Sequence, residues 1–142
     1  MEKVSGDMDP YITRYPCSMR LEEEYKEHGS LFVAFDYDNT VFDYHGKGFT
    51  FPIVRHLLRR CKAAGMKLIL FTAKEKDEDL TPIVEECRKQ GYEPDYVNES
   101  PVKNTRKPYY NILLDDRAGL GQAVMILNEV IEKIERKELC KY

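Results

Sequence analysis

Long hydrophobic runs are missing from this chain: no uninterrupted apolar stretch in its 142 residues exceeds five. A membrane-spanning helix needs about 20 apolar residues in a row, so no segment is expected to cross a bilayer and no membrane partner is expected. An apolar leader region is missing too. The stretch MEKVSGDMDPYITRYP carries acidic residues where a secretory signal would be apolar, and the expected location is cytoplasmic. Nor is there a stripe of Lys and Arg interleaved with aromatics, and the formal net charge is −3 with a pI near 5.7. A stable nucleic-acid partner held through the phosphate backbone is therefore not expected, although a local site can still act on a nucleic-acid end. Cys17, Cys61, Cys87 and Cys140 include no C-x-x-C pair. Cys61 and Cys87 fall within apolar patterns of helical period, where they read as buried structural thiols rather than a metal site or redox pair. Internal repeats and low-complexity segments are lacking as well.

What is present is an ordinary soluble composition, 42% hydrophobic and 33% charged, in a chain long enough to bury one core without staples. Two short continuous apolar runs, LFVAF at 31–35 and MKLILF at 66–71, read as strands covered on both faces. DYVN at 95–98 and YYNILL at 109–114 read as a third and a fourth. Between the first two, Ile53, Val54, Leu57, Leu58 and Cys61 recur at helical spacing, with Pro52 suited to the first turn and Gly65 to the residue after the last. Leu80, Ile83, Val84 and Cys87 mark a second helix closed by Gly91, in which Pro82 is tolerable because it falls in the first turn. Leu120, Val124, Leu127, Ile131 and Ile134 mark a third, long one. Alternation of this kind predicts an α/β fold, a Rossmann-like three-layer sandwich with a mainly parallel central sheet and helices on both faces. The loop NESPVKNTRKP between the last two strands has no helix in it, which is unusual for a parallel crossover and leaves the strand order open. Ahead of the sheet, MRLEEEYKEHG reads as a charged helix ending at Gly29.

Ligands of open parallel sheets bind outside the carboxyl ends of the strands. The first apolar run ends in Asp36, with Asp38 and Thr40 just beyond; the second ends in Thr72; the fourth ends in Asp115 and Asp116, with Lys107 just before it. Each feature alone has an ordinary explanation. D-x-D after a strand serves turns, a DD pair caps helices, and one lysine is a surface lysine. Their shared position at strand ends is what carries information. Two carboxylates about 4 Å apart repel by roughly 4 kcal/mol at an effective dielectric near 20, so several together call for a cation. An all-oxygen set suits a hard divalent ion, Mg²⁺ before Ca²⁺ or Mn²⁺.

In DYDNT at 36–40, Thr72 after a strand, Lys107 and the Asp115–Asp116 pair, taken in that order, the chain resembles the haloacid dehalogenase (HAD) superfamily. The resemblance covers residues 31 to about 120. It implies a HAD-like catalytic domain over 31–142 without a large cap, preceded by an extension at 1–30 that is part of the same globule or a lid. It also implies a Mg²⁺-dependent phosphatase: Asp36 as nucleophile forming an aspartyl-phosphate, Asp38 as general acid and then base, Thr72 on the phosphoryl oxygens, and Lys107 offsetting charge. Substrate contacts would come from Thr40, Thr72, Ala73 and Lys107. Mg²⁺ would be held by Asp36, the main-chain carbonyl of Asp38, and one or both of Asp115 and Asp116, of which Asp116 is favoured as the direct ligand by alignment with the more usual Gly-Asp form of that motif. Two departures stand out. Asn39 replaces a common glycine, and Lys107 lies only eight residues before Asp115, as in small capless relatives. Lys103 competes for the lysine role. NILLDDR is similar to the fourth motif of polynucleotide 3′-phosphatase domains.

The interval 41–51 allows only a small hairpin flap, on which Tyr44, His45, Lys47 and Phe49 are either substrate contacts or merely packed or solvated. An open site is expected, in a monomer or a homodimer. The partner is a phosphorylated substrate of unresolved class, and nucleotides or polynucleotide ends are the narrower alternative. From another class, a non-catalytic phosphate-binding or phospho-switch protein would use a similar acidic pocket. A receiver domain, however, places its acidic pair on the first strand, its phosphorylated aspartate on a middle strand and its lysine late, an order not found here.

Overall fold

A computed structural model describes residues 9–142; the preceding MEKVSGDM, and with it part of the stretch read above for a leader, lies outside the described residues. In chain order the elements are α1 (Arg14–His28), β1 (Phe32–Asp36), α2 (Pro52–Ala63), β2 (Lys67–Phe71), α3 (Thr81–Lys89), β3 (Tyr96–Val97), β4 (Ile112–Leu114) and α4 (Leu120–Glu135). The strands form one sheet in the order β3-β2-β1-β4, and every pairing is parallel. The protein is thus an α/β protein of Rossmann-like architecture. No helix among the described residues is long and apolar enough to cross a membrane.

Alternating residues of the sheet go to opposite faces, and the two faces are covered differently. Val33, Phe35, Leu68, Leu70, Ile112 and Leu114 point to one side, where they join a single buried cluster with Leu21 of α1, Leu57, Leu58 and Cys61 of α2, Cys87 of α3 and Ile126, Leu127, Val130 and Ile131 of α4. All four helices contribute to this one cluster, and the sheet they flank is the parallel α/β arrangement expected. On the other face Ala34 and Ile69 are fully buried beneath aromatics. Phe32 meets Tyr96 and Tyr109 edge-on at 6.2 and 5.9 Å, and Phe71 meets Tyr110 at 6.4 Å. The covering layer there includes the irregular segment 98–111. Strand order explains why no helix is needed. The chain must cross from one sheet edge to the other, three strand spacings or roughly 14 Å, well within the reach of an extended segment of this length.

Individual residues depart from the periodicity in ways the packing explains. Ile53 is 70% exposed at the open end of α2. Tyr109 and Tyr110 precede β4 rather than belonging to it. There the Asn111 side chain takes over pairing, its Oδ1 accepting the Phe32 N–H at 2.6 Å while its Nδ2 donates to Glu24 and the Tyr109 hydroxyl. Cys61 and Cys87 are the expected buried thiols, and burial pushes both up to about 12.

The charged helix of the extension runs from Arg14 to His28 and ends on Gly29 at φ 72°, a conformation in which glycine carries no Cβ penalty. It lies on α4 and beside edge strand β4. Leu21 is fully buried, and the Arg20 guanidinium bonds both Glu24 and the Asn111 carbonyl. Leu21 thus ties α1 to the same buried cluster as the sheet. Leu21→Ala should lower unfolding stability by about 2–5 kcal/mol, read as a shifted midpoint of a single urea transition; a separate transition for α1 would show a detachable lid instead.

Candidate active site

Register builds the site. Asp36 is the last residue of β1, and β1 pairs with β4 so that Phe35 faces Leu114. The next residue of each strand, Asp36 and Asp115, therefore leaves the sheet on neighbouring strands, with Asp116 one step on. Carboxylate oxygens of Asp36, Asp115 and Asp116 all lie within 4.8 Å of one another. None of the three forms an ion pair among the described residues. Burial first, then the neighbouring charge of Asp115 and the contact with Asp116, raise Asp36 to about 7, while a backbone N–H at Tyr37 acts the other way. Asp115 and Asp116 do not cap α4, whose N-cap is Gly119.

Thr40 ties the cluster together. Its fully buried hydroxyl lies 3.4 Å from Asp36 Oδ2 and 3.4 Å from Asp116 Oδ1, and it accepts the Asp116 N–H at 3.2 Å. One proton serves one carboxylate at a time, so the threonine positions both without neutralising either. Asn39 sits at φ 61°, in the left-handed region where asparagine is among the best tolerated residues after glycine. Arg55 of α2 fastens the turn from behind, donating from Nε and Nη2 to the Val41 carbonyl at 3.0 and 2.7 Å.

Thr72 and Asp38 complete the inner wall. Thr72 Oγ1 and Asp38 Oδ1 are buried and have no hydrogen-bond partner among the described residues. Leaving a buried polar atom unpaired costs about 1–3 kcal/mol, so both are atoms that a ligand would satisfy. The Thr72 N–H is itself held by Asn98 Oδ1 at 2.8 Å. Asn98 was missed in the sequence; its signal is an asparagine directly after a short strand, at φ 51°.

A cleft of about 490 Å³ opens above these groups, lined by Asp36, Asp38, Asn39, Tyr44, His45, Ala73, Lys74, Asp115, Asp116 and Arg117. Of the expected site residues, Asp36, Asp38, Ala73, Asp115 and Asp116 border it, with Thr40 and Thr72 behind. The Asp38 carboxylate lies apart from the other three: its Oδ2 is 3.5 Å from the Lys74 ammonium. Lys107 is not brought in. It is exposed on the 98–111 segment, where the Thr105 hydroxyl donates to its carbonyl at 2.9 Å. Lys103 is exposed too and pairs with Glu99 at 2.9 Å. The cleft lysine is Lys74, overlooked because it follows Thr72 in an otherwise unremarkable TAKE string.

The segment 41–51 is an irregular loop rather than a hairpin, pinned by the Gly48 N–H on Asp43 Oδ2 at 2.6 Å. Tyr44 and His45 turn towards the cleft, whereas Phe49 packs on Phe51 and Lys47 is exposed.

No protein-family model and no curated protein sequence matches the chain. In structure it is similar to a conserved protein from Bacteroides thetaiotaomicron, with a TM-score of 0.55 and 24% identity over 76% of this chain and 92% of that one. At that identity the likeness defines the fold: a Rossmann-like α/β protein with its acidic cluster at the carboxyl ends of parallel strands.

A carboxyl group raised in the folded state is protonated there while the unfolded chain is already ionised. Its contribution to stability is full below the unfolded value of 3.8 and is lost as pH rises through about 7. Melting temperatures in chelator should fall over that window in the wild-type protein and fall less in Asp36→Asn; parallel profiles would show that Asp36 titrates normally.

Proposed function

We propose that this protein is a Mg²⁺-dependent phosphatase of the haloacid dehalogenase type, hydrolysing a phosphomonoester. The observation that carries the reading is the clustering of Asp36, Asp115 and Asp116 within 4.8 Å beside two buried polar atoms, on Asp38 and Thr72, that have no partner. A crowded all-oxygen set fits a hard divalent cation. Asp36, Asp115 and Asp116 would hold Mg²⁺, which when bound supplies the positive charge that keeps these carboxylates ionised and offsets the phosphoryl oxygens. The order of motifs in the chain, with DYDNT first and the Asp115–Asp116 pair last, supports the same reading.

On this reading an Asp36 carboxylate oxygen attacks phosphorus, the ester P–O bond breaks, and Asp38 gives its proton to the departing oxygen. Water then attacks the aspartyl-phosphate while Asp38 takes the water's proton; the bond from phosphorus to Asp36 breaks, and inorganic phosphate leaves. Thr72 Oγ1 donates to a phosphoryl oxygen. Thr40 keeps Asp36 and Asp116 in register. Tyr44 and His45 border the leaving-group side of an open cleft, which suits large or exposed phosphorylated groups.

Purified protein should release phosphate from an aryl phosphate with Mg²⁺ and stop on chelation. Asp36→Asn should abolish turnover, and Asp38→Asn should lower kcat by about 10²–10⁴-fold. A panel of mononucleotides, 3′- and 5′-phosphorylated oligonucleotides and sugar phosphates then ranks substrates. Metal-independent turnover, or turnover that survives Asp36→Asn, would overturn the reading.

A further inference from the structure

We propose that Lys74 is the ammonium that binds the phosphoryl group in this cleft, in the role that the HAD resemblance implies for Lys107; the assignment rests on the phosphatase reading above. Lys74 stands three residues beyond the end of β2, on the same strand-end segment as Thr72. The ammonium lies between two walls of the cleft, 3.5 Å from Asp38 Oδ2 and 5.9 Å from the centre of the Tyr44 ring. Its side chain is only 24% exposed, so much of its length is withdrawn from water and its charge is committed to the cleft.

Charge balance makes such a group necessary. The lining contains four carboxylates, those of Asp36, Asp38, Asp115 and Asp116, against the ammonium of Lys74 and the guanidinium of Arg117. Arg117 is exposed at the rim. Lys107 and Lys103 are exposed on the 98–111 segment, and neither lines the cleft. Lys74 is thus the cleft cation placed beside the proton-donating acid, two residues along the chain from the threonine whose hydroxyl has no partner. An incoming phosphoryl group would take over part of the ammonium's pairing from Asp38. In the same movement that acid would be freed to face the leaving oxygen.

Four proteins decide the matter: wild type, Lys74→Met, Lys74→Arg and Lys107→Met, each first shown to melt as the wild type does. Two readouts are taken with Mg²⁺: kcat/KM for an aryl phosphate, and the Kd of inorganic phosphate by calorimetry. Lys74→Met should lower kcat/KM by about 10²-fold, the scale for losing one preorganised charge donor, and should weaken phosphate binding. Lys74→Arg should recover part of both. Lys107→Met should lose less than Lys74→Met by about ten-fold or more on the same scale. If Lys107→Met suffers the greater loss, or Lys74→Met matches the wild type, the assignment is overturned. A wild type that hydrolyses nothing would remove the phosphatase reading, and phosphate binding would then judge Lys74 alone. Weaker binding in Lys74→Met would uphold the assignment; equal binding, or none even in the wild type, would end it.

Discussion

Parallel pairing of β1 with β4 sets Phe35 opposite Leu114, and this register puts Asp36 and Asp115 side by side where the strands leave the sheet. The other features of the candidate site answer the electrostatic problem that results. Burial first, and then the neighbouring charge of Asp115 and the contact with Asp116, raise Asp36 to about 7. Thr40 holds two of the acids in position without cancelling their charge, and Asn39 gives the turn its left-handed residue. Arg55 ties the turn to α2 through the Val41 carbonyl. On the proposed reading, such a site would take a cation and an anion together.

The scaffold concentrates its stability on one side. The four helices and the inward residues of β1, β2 and β4 form one cluster, which fixes the strands and hence the register. Aromatic side chains, partly from an irregular segment, cover the opposite face over Ala34 and Ile69. This division has a functional consequence. The strand-end loops and the flap are joined to the rigid layer by a few specific bonds, Asn98 to Thr72 and Arg55 to Val41 among them, so the site is both well positioned and open. Asn111 does similar work at the opposite end of the sheet, linking β1, α1 and the aromatic layer through one side chain.

Much of this was legible in the order of residues. Short apolar runs, LFVAF unbroken and LILF after Lys67 among them, marked the covered strands, helical spacing marked α2, α3 and α4, and glycine marked the end of α1. Carboxylates at the ends of two such runs located the acidic cluster, because a parallel sheet delivers all its strand ends to one side. Lys107 shows where such reading stops. Nearness in sequence to β4 says nothing about the path of a loop that has to cross the sheet, and this loop leaves Lys107 exposed. Lys74 gave no signal of its own, since a lysine two residues after a threonine is common in any loop.

What the sequence by itself determined is therefore the set of elements, their alternation and the residues that end each strand, all of which follow from local periodicity and short-range backbone preference. The tertiary structure alone decided which strands are neighbours, that all four helices contribute to one buried cluster, that Asp38 pairs with Lys74 rather than joining the Asp36–Asp115–Asp116 group, and which lysine lines the cleft. Those outcomes depend on contacts between residues far apart in the chain, such as Thr40 with Asp116, Thr72 with Asn98 and Leu21 with α4. Local pattern carries no information about such distances; only packing the whole chain into one core does.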